Sequence, residues 1–315
     1  MTAGAALPEL PYEEWRPTKD TLHLWAQIVG KVRLASTPPQ NHWWNVPLYV
    51  DVRGLTTRRL QAGGPSFALD FDFLDHRLVL RTDQGRIDSF ALEDGLSVAG
   101  FDSRLHGLLA AAGVDVPIRE EPFGLPMTTP FPEDVEHASY QGEYVTRFWR
   151  ILEWVDGVFT EFAGWSCAKT SPVHLFWHSL DLAVTRFSGR RAPRNDAADP
   201  VTQEAYSHEL ISFGFWPGDA NVPEPTFYSY TAPEPPGLRE EPLSPPEARW
   251  IDQGPGSLAT LSYDVVRQSS DPRATLLGFL ESGYLAGTQA AGWDEEALRS
   301  AFCPTRQQLQ TAYFR

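Results

Sequence analysis

Four of the eight histidines in this chain lie in or beside aromatic segments, and their side chains are the ones best suited to chemistry: His42, His174, His178 and His208. Neutral imidazole nitrogens bind iron, copper, nickel and zinc, so their convergence on one point would create a site for a divalent transition metal. The sequence does not distinguish among these metals. The alternative is that each histidine is a core residue whose ring bonds a neighbouring carbonyl or hydroxyl group.

The spacing of two of these histidines can be tested against strand geometry. Residues 171–190 are rich in Val, Phe, Trp, Leu and Thr, and no helix cap opens the segment, so we predict a strand. Alternate side chains of a strand share one face, which places His174 and His178 on the same face. They would lie about 13 Å apart, so one ion binds both only where the strand bulges. A third ligand would come from His208, Glu209 or His42.

Other side chains near these histidines complete a predicted pocket. Glu209 directly follows His208 and could exchange protons with a substrate, and the Tyr228 hydroxyl could donate one. The predicted substrate-binding residues are Trp44, Trp177, Tyr206, Trp216, Lys169 and Arg186. An aromatic lining would shield a reactive intermediate, which favours an oxidoreductase over a hydrolase.

The leading functional hypothesis is therefore a metal-dependent enzyme that acts on a small molecule. Two alternatives use the same residues differently. A non-catalytic binding module would hold an apolar ligand in the aromatic cavity, with histidines as hydrogen-bond partners. A metal-free acid–base enzyme would use His208 and Glu209. The sequence contains no phosphate-binding glycine loop and no Gly-x-Ser-x-Gly elbow, so it indicates neither a nucleotide-binding protein nor a serine hydrolase.

Composition restricts the partners and the compartment. Acidic residues outnumber basic ones by 41 to 26, and the formal net charge is −15. A nucleic-acid groove needs clustered cations, yet the densest basic runs are the pairs Arg58-Arg59 and Arg190-Arg191, so no nucleic-acid partner is predicted. Two cysteines do not make a disulfide framework. Without a signal peptide or an apolar run near 20 residues, we expect a cytoplasmic protein that does not enter a membrane.

The periodicity of apolar residues predicts an α+β fold in which helices pack on antiparallel sheets. Helices are predicted over about 17–36, 97–112, 141–162 and 271–292, with Ser97 as an N-cap and Gly292 at the end of the last helix. Strands are predicted over 42–52, 67–73, 77–82, 86–92, 173–187, 209–216, 226–230 and 258–265.

The order helix, strands, helix occurs twice along the chain. It suggests two similar halves, residues 1–116 and 136–315, with most of the predicted site in the second. Residues 117–135 between them are rich in Pro, Gly and acid and are predicted to be a linker. An ordinary α+β arrangement without duplication explains the same order.

Six stretches of the sequence together resemble a bacterial family catalogued as a domain of unknown function, number 5996. They are Asn41–Trp44, Arg53–Thr57, Phe71–Leu78, Glu136–Tyr140, Leu182–Arg190 and Glu204–Glu209. The resemblance spans about residues 10 to 295 and implies one architectural unit shared among bacteria. It implies no particular activity.

Overall fold

Helices and two antiparallel sheets of six strands each form the part of the chain that the computed structural model describes, residues 6–254 and 256–304. This arrangement is the predicted α+β class. The chain divides into two compact units. The first unit comprises residues 10–153 and 174–181, and the second comprises the described residues of 1–9, 154–173 and 182–315. None of the described helices is long and apolar enough to cross a lipid bilayer.

The first unit is built on two helices, α1 (Tyr12–Ala35) and α2 (Val98–Ala111), and on the start of α3 (Gly142–Gly164). The Ser97 hydroxyl accepts the Gly100 N–H at 3.1 Å, which confirms the predicted N-cap of α2. The helix ends at Ala111, just before Gly113 turns the chain with a φ of 72°. The buried indole of Trp25 on α1 stacks on Phe101 of α2 with ring centroids 5.0 Å apart.

The sheet of the first unit is antiparallel throughout. Its strands are β1 (Tyr49–Asp51), β2 (Gly54–Thr56), β3 (Leu60–Gln61), β4 (Ser66–Asp72), β5 (Arg77–Thr82) and β6 (Ile87–Ala91). They lie in the order β1-β2-β4-β5-β6, with β3 paired to β4. Leu69, Phe71, Leu78 and Leu80 are buried, and Phe71 stacks on Phe101, so α2 covers this face of the sheet.

The predicted strand over 42–52 is mostly absent. Residues Asn41–Trp43 form a 3-10 helix, and the strand begins only at Tyr49. The carbonyls of the intervening loop bond side chains instead of a neighbouring strand: the Asn45 carbonyl accepts from Thr37, and the Val46 carbonyl accepts from the Trp177 indole. Tertiary contacts therefore overrode the local preference for an extended chain.

The predicted continuous strand over 173–187 is also wrong. It is divided into β7 (His174–Phe176) and β8 (Asp181–Arg191), and His178 lies in the turn between them. His174 and His178 therefore do not share a strand face. The turn is held by packing: the Trp177 ring lies so close to Gly30 of α1 that a Cβ there would be 2.2 Å from the indole. β7 is anchored by reciprocal backbone bonds between Leu48 and Leu175, at 2.9 and 2.8 Å.

Five of the six strands of the second sheet belong to the second unit, in the order β11-β12-β10-β9-β8. Besides β8 they are β9 (His208–Trp216), β10 (Thr226–Ala232), β11 (Arg249–Gln253) and β12 (Gly256–Ser262). Its helices are the end of α3, α4 (Pro200–Ala205), α5 (Tyr263–Gln268), α6 (Pro272–Ala291) and α7 (Glu295–Leu298). Gly287 lets α6 approach the sheet closely, and this helix ends at Gly292 as predicted, with Gly292 in the left-handed conformation.

The segment 117–135 lies inside the first unit, where side chains of α1 bind its backbone. The Gln27 amide bonds both the carbonyl and the N–H of Phe123, at 2.9 and 2.8 Å. The Lys31 ammonium donates to the carbonyls of Arg119 and Glu121. On the side of segment 117–135 these bonds use only backbone atoms. The segment is therefore held in place although its own sequence is irregular.

Candidate functional site

Two arginines, a tyrosine and a histidine from four separate elements meet in the first unit. Arg33 lies near the end of α1, Tyr49 opens β1, Arg58 follows β2 and His174 opens β7. The Cζ atoms of Arg58 and Arg33 lie 3.4 and 5.3 Å from the centroid of the Tyr49 ring. The rings of Tyr49 and His174 are 6.3 Å apart. We call these four residues the Tyr49 site.

The turn that carries Arg58 is held in an unusual backbone conformation. Arg58 has a φ of 56°, which costs a residue other than glycine on the order of 1 kcal/mol or more. The Arg58 N–H donates to the Thr56 hydroxyl at 2.9 Å, and the Thr57 hydroxyl donates to the Arg58 carbonyl at 2.9 Å. The Thr57 hydroxyl also accepts the Leu69 N–H from β4. The sheet therefore fixes the turn that presents the Arg58 side chain.

Positive charge at the Tyr49 site is not balanced by acid. Arg33 is only 6% exposed, its Nη1 donates to the Thr57 carbonyl, and its Nε is buried without a hydrogen-bond partner. Burial lowers the pKa of Arg33. Within the described part of the chain, neither Arg33 nor Arg58 forms an ion pair with a carboxylate. Because buried charges are normally paired, this arrangement suits a negatively charged ligand.

His174 contributes a neutral ring to the site. The side chain is 1% exposed, and its Nδ1 is buried without a partner. Burial, with a smaller contribution from the nearby guanidinium groups of Arg33 and Arg58, lowers the pKa of His174 to about 3. The imidazole is therefore uncharged near neutral pH, and Nδ1 can donate or accept one hydrogen bond according to the tautomer.

The other predicted metal ligands have different surroundings. His42 is buried beside Trp44, with ring centroids 5.6 Å apart, and His178 packs edge-on against Phe123 and Phe176. His208 belongs to the second unit, where Nδ1 lies 3.1 Å from the Ser207 hydroxyl. Among the described residues, no three His, Cys, Asp or Glu side chains form a group that could hold a metal ion. The metal centre stays a prediction.

Two of the predicted substrate-binding residues are buried and hold the fold together. The Trp177 indole donates to the Val46 carbonyl at 3.0 Å. The Arg186 guanidinium lies 3.5 Å from the Phe162 ring and 4.6 Å from the Tyr284 ring, and it donates to the Phe162 carbonyl. Burial lowers the pKa of Arg186 to about 10. These contacts give both side chains a structural role.

Glu209, predicted to be catalytic, joins strand β9 to the end of α6. Its carboxylate accepts from the Ser188 hydroxyl at 2.9 Å and pairs with Arg190 at 2.7 Å. Arg190 in turn donates to the Ala291 carbonyl at 2.9 Å. Glu209 also lines a cavity of about 310 Å³ between the end of β10 and the end of α6. A catalytic role for Glu209 stays a prediction.

The two predicted tyrosines, Tyr206 and Tyr228, both contact Tyr230 of β10 in the second unit. The hydroxyls of Tyr206 and Tyr230 are 3.2 Å apart, and the rings of Tyr228 and Tyr230 stack at 6.2 Å. Gly214 makes room for Tyr228, because a Cβ there would lie 2.2 Å from its ring. Of the remaining predicted residues, Lys169 lies 5.0 Å from the Phe187 ring, and Trp44 and Trp216 are half-buried. Their binding roles stay predictions.

Three residues of the Tyr49 site were not anticipated from the sequence. Tyr49 falls inside a predicted strand, and Arg58 stands out in the sequence only as half of the basic pair Arg58-Arg59. The burial of Arg33 could have been predicted from its position, because it follows Val29 by four residues on α1 and therefore extends the buried face of this helix. A charged residue at such a position predicts either a buried partner or a ligand.

Comparison with known proteins gives a family but no activity. The model of a family of unknown function, DUF5996, matches residues 7–300. No curated protein and no solved structure matches the chain.

Proposed function

We propose that this chain, which belongs to the family of unknown function DUF5996, is a small-molecule-binding protein whose ligand is a small anion held at Arg33, Tyr49, Arg58 and His174. One observation carries the proposal. Two guanidinium groups lie over one tyrosine ring, and no carboxylate among the described residues pairs with either. A carboxylate or phosphate group would supply the missing charge.

Guanidinium chemistry supports this class of ligand. The planar fork of an arginine binds the oxygens of carboxylates and phosphates through two parallel hydrogen bonds. The whole chain carries a formal charge of −15, which by itself repels anions. A local excess of positive charge is therefore needed for an anion to bind anywhere on this protein, and the Tyr49 site has such an excess.

Arg58 is the one exposed residue among the four of the Tyr49 site. The Arg58 side chain is exposed and covers the Tyr49 ring, which is itself buried. The Nε atom of Arg33 and the Nδ1 atom of His174 are both covered. We propose that a ligand first contacts Arg58, and that the two covered atoms become reachable when the Arg58 side chain moves away from the ring.

Isothermal titration calorimetry with inorganic phosphate, sulfate and acetate tests the proposal. We expect saturable one-to-one binding of at least one of these anions to the full chain in a buffer that contains none of them. Arg58→Ala should weaken that binding about tenfold or more, the effect of removing one charge-assisted contact. The matched control is Arg59→Ala, since Arg59 is also exposed but bonds Gln61 and Ser66.

Two outcomes would contradict the proposal. One is the absence of saturable binding for all three anions. The other is an equal loss of affinity in Arg58→Ala and Arg59→Ala, which would show that general surface charge and not the Tyr49 site attracts the anion. Thermal unfolding of both variants verifies that each is folded before its affinity is interpreted.

A further inference from the structure

The Tyr49 site carries two permanent positive charges. The charged and titratable groups from the elements that form it are Arg33 of α1, Tyr49 of β1, Arg58 of the turn after β2 and His174 of β7. Arginine is not deprotonated in proteins under ordinary conditions, so Arg33 and Arg58 stay charged. His174 is neutral near pH 7, because burial lowers its pKa to about 3.

A singly charged ligand would leave one of the two positive charges of this site without a negative partner. A carboxylate supplies one negative charge and two oxygens, so it satisfies one guanidinium fork and leaves the other cation uncompensated. A phosphate monoester at neutral pH supplies close to two negative charges and three acceptor oxygens. It can therefore accept hydrogen bonds from two arginines and from one neutral imidazole N–H.

We infer that the Tyr49 site selects a dianion of the phosphate monoester class over singly charged anions. This inference rests on the proposed function, because it names the class of anion that the same site takes. The carrying observation is the set of groups that lack a partner: two guanidinium groups without a paired carboxylate among the described residues, and a buried imidazole nitrogen of His174 without a hydrogen-bond partner.

Methyl phosphate and methyl sulfate form a matched pair of probes for this selectivity. Both are small tetrahedral esters, but the sulfate carries one negative charge at any working pH, whereas the phosphate loses its second proton near about pH 6. At about pH 7.5 we expect calorimetry to show methyl phosphate binding the full chain about tenfold tighter than methyl sulfate. At about pH 5 methyl phosphate is mostly singly charged, so this ratio should approach one.

The protein should contribute little to that pH dependence. Arg33 and Arg58 stay charged over the range, and His174, with a pKa of about 3, stays neutral. Arg58→Gln removes one of the two charges and should reduce the preference for methyl phosphate to a few-fold or less at about pH 7.5. Arg59→Gln should keep the preference of the unchanged chain.

The outcomes separate the two proposals. Saturable binding of both esters with equal affinity at about pH 7.5 would overturn the inference about the dianion and leave the anion-binding function standing. Absence of binding by both esters, and also by inorganic phosphate, sulfate and acetate, would overturn the proposed function itself. These comparisons use the unchanged chain, so they hold even if Arg58→Gln does not fold.

Discussion

At the scale of single residues, burial decides what the histidines of this protein can do. His23 and His174 are both almost fully buried, and burial lowers the pKa of each to about 3. His106 differs, because it is half-exposed and lies 3.3 Å from the Asp102 carboxylate, and its interaction with Asp102 raises its pKa. The imidazole ring is thus kept neutral by burial at two positions, whereas at the third a carboxylate favours its charged form.

We predict that this protein loses stability as the pH falls below about 6.5. The unfolded chain protonates His23 and His174 near pH 6.5, whereas the folded chain protonates them only near pH 3. Between these values the unfolded state binds more protons, so the free energy of unfolding decreases by up to about 1.4 kcal/mol per pH unit for each histidine. Urea unfolding at several pH values between about 5 and 7 measures this slope.

Two variants test which histidines cause that slope. His174→Gln should make the decrease toward low pH shallower. His106→Gln is the control: the raised pKa of His106 stabilises the folded state by an amount that is fully present below about pH 6.5 and is lost as the pH rises through the raised pKa. Its loss should therefore lower the stability below about pH 6.5 and leave the slope of the decrease there unchanged. A slope that is unchanged in His174→Gln would show that His174 does not titrate as an isolated buried ring.

At the scale of the elements, close packing decides where the chain turns. The turn between β7 and β8 exists because the Trp177 ring packs directly on Gly30 of α1 and its indole N–H bonds the Val46 carbonyl. The same anchoring places β7, and with it His174, beside Tyr49. One tryptophan therefore connects helix packing with the geometry of the Tyr49 site.

We expect Gly30→Ala to destabilise the protein by about 1–3 kcal/mol, the usual cost of overpacking a buried contact. The added Cβ would lie 2.2 Å from the Trp177 ring, and this strain exceeds the gain in helix propensity of up to about 1 kcal/mol. Gly107→Ala on α2 is the matched control, because nothing lies within 4 Å of a Cβ there. Chemical denaturation should show Gly107→Ala equal to or more stable than the unchanged protein, and a stable Gly30→Ala would contradict the packing argument.

A buried ion pair joins α6 to the segment after α7 in the second unit. Glu281 is fully buried, one carboxylate oxygen accepts from Arg299, and the other has no partner. Burial raises the pKa of Glu281, although Arg299 opposes this shift. Arg299 also pairs with Glu295, so removing Glu281 takes away one of its two carboxylate partners.

We predict that Glu281→Gln lowers the free energy of unfolding by about 2 kcal/mol, because Arg299 then loses one of its two carboxylate partners and keeps only Glu295. Glu153→Gln is the control: its pair with Arg150 is exposed, so its loss should change stability by less than about 1 kcal/mol. Urea unfolding compares both variants with the unchanged protein. Equal effects would mean that burial does not strengthen the Glu281 pair.

At the scale of the whole molecule, anion binding and metal binding would use different sets of residues. The proposed anion site uses residues of the first unit only, whereas the predicted metal ligands include His208 of the second unit. Arginine side chains bind phosphate without a metal ion. The dependence of binding on metal therefore distinguishes the proposed function from the metal-dependent enzyme that the sequence predicts.

We expect inorganic phosphate to bind with the same affinity before and after treatment of the protein with a chelator. Calorimetry on the two samples, with elemental analysis of each, makes the comparison. Loss of binding after chelation, restored by added zinc or iron, would favour the metal-centre prediction instead. His208→Ala should leave phosphate affinity unchanged, because His208 is not part of the Tyr49 site.

Local patterns alone determined the class of the fold and the ends of several elements. The Ser97 N-cap, β5 over Arg77–Thr82 and the left-handed Gly292 after α6 follow from bonds and backbone preferences within a few residues, so they could be predicted. The net charge and the family also follow from the sequence.

Only the tertiary structure decided how residues 42–52 and 173–187 are arranged, and which side chains meet at the Tyr49 site. Their composition favours strands, but contacts with residues more than a hundred positions away, such as that between Trp177 and Val46, outweigh a preference worth at most about 1 kcal/mol. Arg33, Tyr49, Arg58 and His174 come from four elements and share no sequence motif. Their proximity depends on packing, because spacing along a chain sets distances only within one helix or strand.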